Sequence, residues 1–133
     1  MIEISSAVIH DIVEHAVAAL PGESCGLLVG SEGAIVESVR ATNIADDPTR
    51  RFLIDPKDHI DGRRRARSRG LAVVGFYHSH PQSPPQPSAT DVAEASYPLH
   101  LYLIVSLAAA APAVALFTLE NGNFRPVPFV TVG

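Results

Sequence analysis

An α/β fold, a single mixed β-sheet with helices over more than one face, is what this sequence predicts. Three observations carry that reading. Apolar residues first recur at helical spacing (Val8, Ile9, Ile12, Val13, Ala16, Val17, Leu20) and then give way to short strand-like runs. The two patterns go on interleaving, for a tally of about six to eight strands and three helices. Residues 71–77 are nearly continuous in their hydrophobicity, as a strand covered on both faces is. No repeat or interdomain linker interrupts the 133 residues, so 1–133 reads as one domain, long enough to bury a core.

Each element has a local cause. Residues 2–4 form a short strand, and Ser5 or Ser6 caps the first helix, which Pro21-Gly22 ends. Residues 25–30 and 34–42 read as a hairpin around Ser31-Glu32-Gly33, and 43–50 as loop before an extended 51–54. Asp55-Pro56 opens a helix to about residue 69, with Ile60 almost its only large aliphatic and Gly70 as its stop. Its arginine-rich end suits the negative end of the helix dipole. After the 71–77 strand and a proline-rich stretch, Ser88 caps a short helix to about residue 96. Strands are expected at 101–107 and 113–119. Asn121-Gly122 then turns the chain into 124–130 as a C-terminal hairpin.

Composition narrows the function. A formal charge of -4 argues against a general grip on nucleic acid, which needs concentrated positive surface. A single cysteine leaves no internal disulfide framework and fits a reducing compartment. The alanine-rich tract 107–114 is broken by Pro112 and too short to span a bilayer, so a soluble, cytoplasmic protein is expected.

The chemistry concentrates in residues 75–91, GFYHSHPQSPPQPSATD. Residues two apart on a strand share a face. His78 and His80 can therefore aim both imidazoles at one point, and Asp91 can add a carboxylate after the loop turns back. Two histidines and one carboxylate with an open fourth position is the pattern of a catalytic zinc site. Two solvent-facing strand histidines is the plainer alternative. Pro81, Pro84, Pro85 and Pro87 stiffen the intervening loop, which suits a site wall and a rigid turn alike. Ser88 is either a helix cap or a hydroxyl for a developing oxyanion, two jobs not easily done at once. Hydrolysis also needs an acid/base; Glu23, Glu94, Asp55 and Asp58 are candidates, and Glu23 is well placed just ahead of a buried strand.

Glu23-Ser-Cys-Gly-Leu-Leu-Val-Gly30, Gly75-Phe-Tyr-His78-Ser-His80-Pro81 and Ser88-Ala-Thr-Asp91 together closely resemble the JAMM (MPN-plus, Mov34/PAD-1) metalloproteases. The resemblance extends over essentially the whole chain in element order. It implies the JAMM/MPN, cytidine-deaminase-like form of the fold, a curved sheet flanked by helices on both sides. It implies Zn2+ held by His78, His80 and Asp91 with water as fourth ligand, Glu23 as general acid/base, and Ser88 stabilising the tetrahedral intermediate. It further implies cleavage of peptide or isopeptide bonds at the C-terminus of a ubiquitin-like protein. The short chain resembles the small prokaryotic type, whose partners are ubiquitin-like sulfur carriers and their conjugates. The carrier, the leaving residue, a role in cysteine biosynthesis and the oligomeric state, a homodimer included, stay open.

An extended carrier tail is expected to pair with a sheet edge near the zinc. Cys25 reads as a core residue, and His10, His15, His59 and His100 as surface or local hydrogen-bonding groups. Arg63, Arg64, Arg65, Arg67 and Arg69 read first as a solvated helix face, or else as a dock for an acidic carrier. Asn43, Phe52 and Asp55 are candidates for the substrate channel, with loop fixing as the alternative for Asn43. Two other functions compete. A non-catalytic MPN-type scaffold would keep the fold without turnover, and the intact Glu23 speaks against it. A zinc deaminase needs paired cysteines that this chain lacks.

Overall fold

A computed structural model describes residues 1–133. The elements run β1 (Ile2–Ser5), α1 (Ser6–Ala19), β2 (Cys25–Ser31), β3 (Ala34–Ala41), α2 (Pro56–Ser68), β4 (Ala72–His80), α3 (Ala89–Glu94), β5 (Leu101–Ser106), β6 (Ala113–Glu120), β7 (Asn123–Pro126) and β8 (Phe129–Val132). They build one eight-stranded sheet in the order β7-β6-β5-β4-β2-β3-β1-β8. The sheet is mixed: β4 runs parallel to β5 and antiparallel to β2.

The expected C-terminal hairpin forms only in its first half. β7 pairs with β6, but β8 leaves for the opposite end of the sheet and lies parallel to β1. Val127 and Pro128 alone join these two edge strands. At 3.8 Å per Cα step that link spans at most about 11 Å, so the sheet must curl until its edges nearly meet. The turn signal at Asn121-Gly122 is local and holds; the partner of 129–132 depends on that curl, which no local residue announces.

The curl wraps around α1. Val8, Ile12 and Ala16 of that helix pack with Ile4, Leu28, Ile35, Tyr77, Leu103, Val105 and Leu116. Ser5 caps the helix by accepting the Ala7 N–H. The alternate residues of the same strands (Leu27, Val29, Val73, Phe76, Tyr102, Ile104) face the other way and meet α2 through Ala66. The helices thus cover both faces, as the sequence predicts. Ile60 of α2 is half exposed, and the helix seats itself on the sheet through Gly62 and Ala66. A Cβ on Gly62 would come within 2.2 Å of Leu27 Cδ1. Small residues let the helix approach, and the bulk is supplied by the sheet.

Candidate metal centre

β4 runs further than its apolar pattern predicts, through His78 and His80. The reason is pairing on both sides: His78 sits opposite Cys25 of β2 and Ile104 of β5, and His80 opposite Ser106. Both imidazoles therefore project from a central strand, on the face they share with Phe76. Asp91 arrives from the first turn of α3. There Ser88 and Asp91 form a reciprocal capping box: Asp91 N–H donates to Ser88 Oγ at 3.0 Å, and Ser88 N–H donates to Asp91 Oδ2 at 2.9 Å.

The three side chains meet. His78 Nε2 lies 3.1 Å and His80 Nε2 3.0 Å from Asp91 Oδ2, and the two Nε2 atoms are 3.1 Å apart. Each histidine is 3% exposed and Asp91 9%. A four-coordinate zinc with bonds near 2.0–2.1 Å separates its ligand atoms by about 3.3 Å, so this triangle is close to the size required. Nitrogen, nitrogen and oxygen donors suit zinc among divalent ions. His80 Nδ1 is 2.8 Å from the Pro84 carbonyl, to which it donates, leaving Nε2 bare toward the centre. These residues fit a metal ion, and no second cluster of potential ligands exists in the chain.

Burial works most strongly on all three groups. It holds the His78 imidazole below its ordinary value, against the pull of Asp91. For His80 burial is overcome by the hydrogen bonds to Asp91 and Pro84, and the net direction is upward. Burial opposes ionisation of Asp91 too, but the histidines and the Ser88 amide together hold its carboxyl well below the usual range.

Among the candidate acids the fold separates one. Asp55 caps α2, Asp58 accepts the Thr42 N–H, and Glu94 pairs with Arg51 at 3.0 Å. Glu23 instead stays free beside the cluster. It is 8% exposed, and its Oε1 has no hydrogen-bond partner. Burial, then the negative charges of Asp91 and Glu94, push its carboxyl up to about 7, with His80 pulling the other way. Strand pairing puts it there: Ser24 N–H donates to Ser79 Oγ and Ser79 N–H to Ser24 O, so the residue before β2 is pinned to the one between the histidines.

The sequence reading left two neighbours undecided. Phe52 stacks on the His78 ring, centroids 4.3 Å apart and planes 20° from parallel. Asn43 is a hub: its Nδ2 donates to Glu23 O and Arg51 O, and its Oδ1 accepts from Ala45 N and Leu53 N. Loop fixing is its observed part. Cys25 is buried, with burial pushing its thiol up to about 12, as a core residue. Of the arginine run, Arg64, Arg65 and Arg67 are exposed, whereas Arg63 bonds His59 and His100, and Arg69 pairs with Glu37.

A groove of about 340 Å³ opens beside His78 and Asp91, walled mainly by Phe52, Ile54, His59, Phe76, Tyr97 and Phe124. The strand that carries the histidines offers no free edge here. β4 has a partner on each side, and the free edges belong to β7 and β8, of which β7 reaches the groove through Phe124. Edge pairing with β4 itself is therefore ruled out.

A curled α/β sheet with a buried His-His-Asp cluster at the end of a central strand places this chain in the JAB class of folds. The model of the prokaryotic homologs of the JAB domain matches residues 5–120. The chain belongs to that family, the small prokaryotic branch of the JAMM/MPN proteins. It is 41% identical over 88 residues to the desampylase of Haloferax volcanii, which covers 65% of this chain and 63% of that protein. It is 31% identical over 105 residues to the CysO-cysteine peptidase of Mycobacterium tuberculosis, 77% of this chain and 71% of that one. The solution structure of protein DSY2949 from Desulfitobacterium hafniense superposes with a TM-score of 0.90 at 30% identity, over 99% of this chain and 93% of that chain.

Proposed function

We propose that the chain is a zinc-dependent peptidase of the cytoplasm that cuts the peptide or isopeptide bond at the C-terminus of a ubiquitin-like sulfur-carrier protein. One observation carries the reading: an unpartnered, buried Glu23 carboxylate beside three converging ligand atoms. A structural cluster would close its fourth position and satisfy its neighbours. Relatives named for acting on carrier conjugates (desampylase) and on a carrier–cysteine bond (CysO-cysteine peptidase) support the substrate class.

His78, His80 and Asp91 would hold the ion, which when bound supplies a Lewis acid for the scissile carbonyl and an acidified water. The rest falls to the chain. Glu23, buried and unpartnered beside the ligands, takes a proton from the attacking water and returns it to the departing amine. Water adds to the carbonyl carbon, the C–N bond breaks, and a carboxylate and an amine leave. Ser88 Oγ uses a lone pair to cap α3, so its own O–H proton remains for the developing oxyanion. Capping and stabilisation are thus compatible, since one uses the acceptor and the other the donor. The groove takes the residues ahead of the scissile bond, and the extended segment 51–54 supplies main chain in place of a sheet edge.

The test is incubation of the zinc-loaded protein with carriers bearing C-terminal extensions and carriers linked to lysine, with mass spectrometry locating the cut. Cleavage after the carrier's last glycine, lost in Glu23→Gln although zinc is retained, is expected. A folded, zinc-loaded protein that leaves every such substrate whole would overturn the reading.

A further inference from the structure

The metal cluster is built from two separate pieces of chain, and a third piece touches both. His78 and His80 stand on β4, while Asp91 stands on α3, which is only six residues long and joins β4 through the proline loop. The segment at Arg51-Phe52 lies across the two. The Phe52 ring covers the His78 imidazole, and Arg51 Nη2 bonds Glu94 Oε1 at 3.0 Å, one helical turn beyond Asp91. The carbonyl of Arg51 is in turn held by Asn43, which also holds the carbonyl of Glu23.

We propose that Arg51-Phe52 is a clasp that holds the two halves of the metal centre together and slows escape of the ion. Phe52 and Arg51 are positioning residues: neither carries a ligand atom, and each acts on an element that does. Asn43 registers the clasp against Glu23, so the acid/base and the metal share one frame. The inference rests on the metal-centre reading.

The chemistry sets what each half contributes. A near-parallel aromatic stack fixes the plane of the imidazole, and with it the direction of the Nε2 lone pair. Leucine at position 52 fills comparable space but offers no ring face, whereas tyrosine keeps it. The ion pair is partly exposed, 44% at the Arg51 side chain and 39% at Glu94, so it is weak and screened by salt.

The experiment measures metal binding without any substrate. Release of Zn2+ to a chelating dye and the visible spectrum of the Co2+-loaded protein are compared for wild type, Phe52→Leu, Phe52→Tyr, Arg51→Gln, Glu94→Gln and the Arg51→Gln/Glu94→Gln pair. Phe52→Leu should release zinc about three- to tenfold faster and shift the Co2+ bands, with Phe52→Tyr restoring both. Arg51→Gln and Glu94→Gln should each speed release about twofold, and the pair no more than either alone. Wild-type release should approach theirs at about 1 M salt, where the screening length is ~3 Å. Thermal melts of the metal-free variants show that each is folded; where Phe52→Leu is not, the charge pair and its salt dependence decide. Release rates and Co2+ spectra that match wild type in every folded variant would overturn the clasp. A wild type that binds neither ion would remove the metal centre itself, and the clasp with it.

Discussion

His80 Nδ1 sits 2.8 Å from the carbonyl oxygen of Pro84, four residues later, so the loop that leaves β4 selects which nitrogen of its own histidine faces Asp91. The loop is tied down elsewhere as well, Ser106 Oγ donating to Ser83 O at 2.6 Å. An irregular stretch thereby becomes a wall of fixed geometry.

Loosening that wall should loosen the ion. Replacing Pro84 and Pro85 with glycine keeps the carbonyl acceptor but frees the unfolded chain, costing about 1–2 kcal/mol in all. Urea denaturation should show that loss, and zinc competition should show a severalfold weaker affinity. Unchanged affinity would confine the prolines to stability.

Metal should stabilise the fold. Zinc at ~100 times its dissociation constant adds about 2.7 kcal/mol, a rise in Tm of roughly 8 °C for a chain of this size. Differential scanning fluorimetry with and without chelator measures it. Asp91→Asn, which removes the charge shared by both histidines, should lose most of the rise.

Glu23 gives a pH dependence of definite sign. Its folded value of about 7 lies above the ordinary glutamate value of 4.5, so between the two the unfolded chain ionises and the folded chain does not. Stability of the metal-free protein therefore falls as pH rises through that window, by at most about 3 kcal/mol. Glu23→Gln should match wild type near the bottom of the window and exceed it at pH values above its top. Urea melts at both ends check the crossing; parallel curves would mean that Glu23 is solvated in the metal-free protein.

Two glycines should answer differently to alanine. At Gly26 a Cβ meets the Val39 carbonyl oxygen and Tyr77 Cε2, each at 2.3 Å, and neither a central strand nor a fully buried ring can retreat. Gly26→Ala should cost about 3 kcal/mol or more. At Gly62 the obstacle is the end of the Leu27 side chain, which can rotate, and alanine regains up to about 1 kcal/mol of helix propensity. Gly62→Ala should therefore cost distinctly less in the same melts.

Much of this was legible one residue at a time. Ser5 and Pro21-Gly22 bracket α1, Ser31-Glu32-Gly33 closes the β2–β3 hairpin, and the HxH spacing places two imidazoles on one face because strand alternation is a property of the backbone itself. Ile60 stays half exposed because hydrophobicity leads to burial only where a partner waits, and α2 needed closeness more than bulk.

The sequence by itself determined most of the elements and the candidate ligand set, since caps, turns and alternation are decided over a few bonds. Only the tertiary structure decided which acid faces the cluster, that Phe52 covers His78, and that β8 closes on β1 rather than on β7. Those outcomes depend on residues tens of positions apart being brought together by the curl of the sheet, and a signal of that range is written in no single stretch of chain.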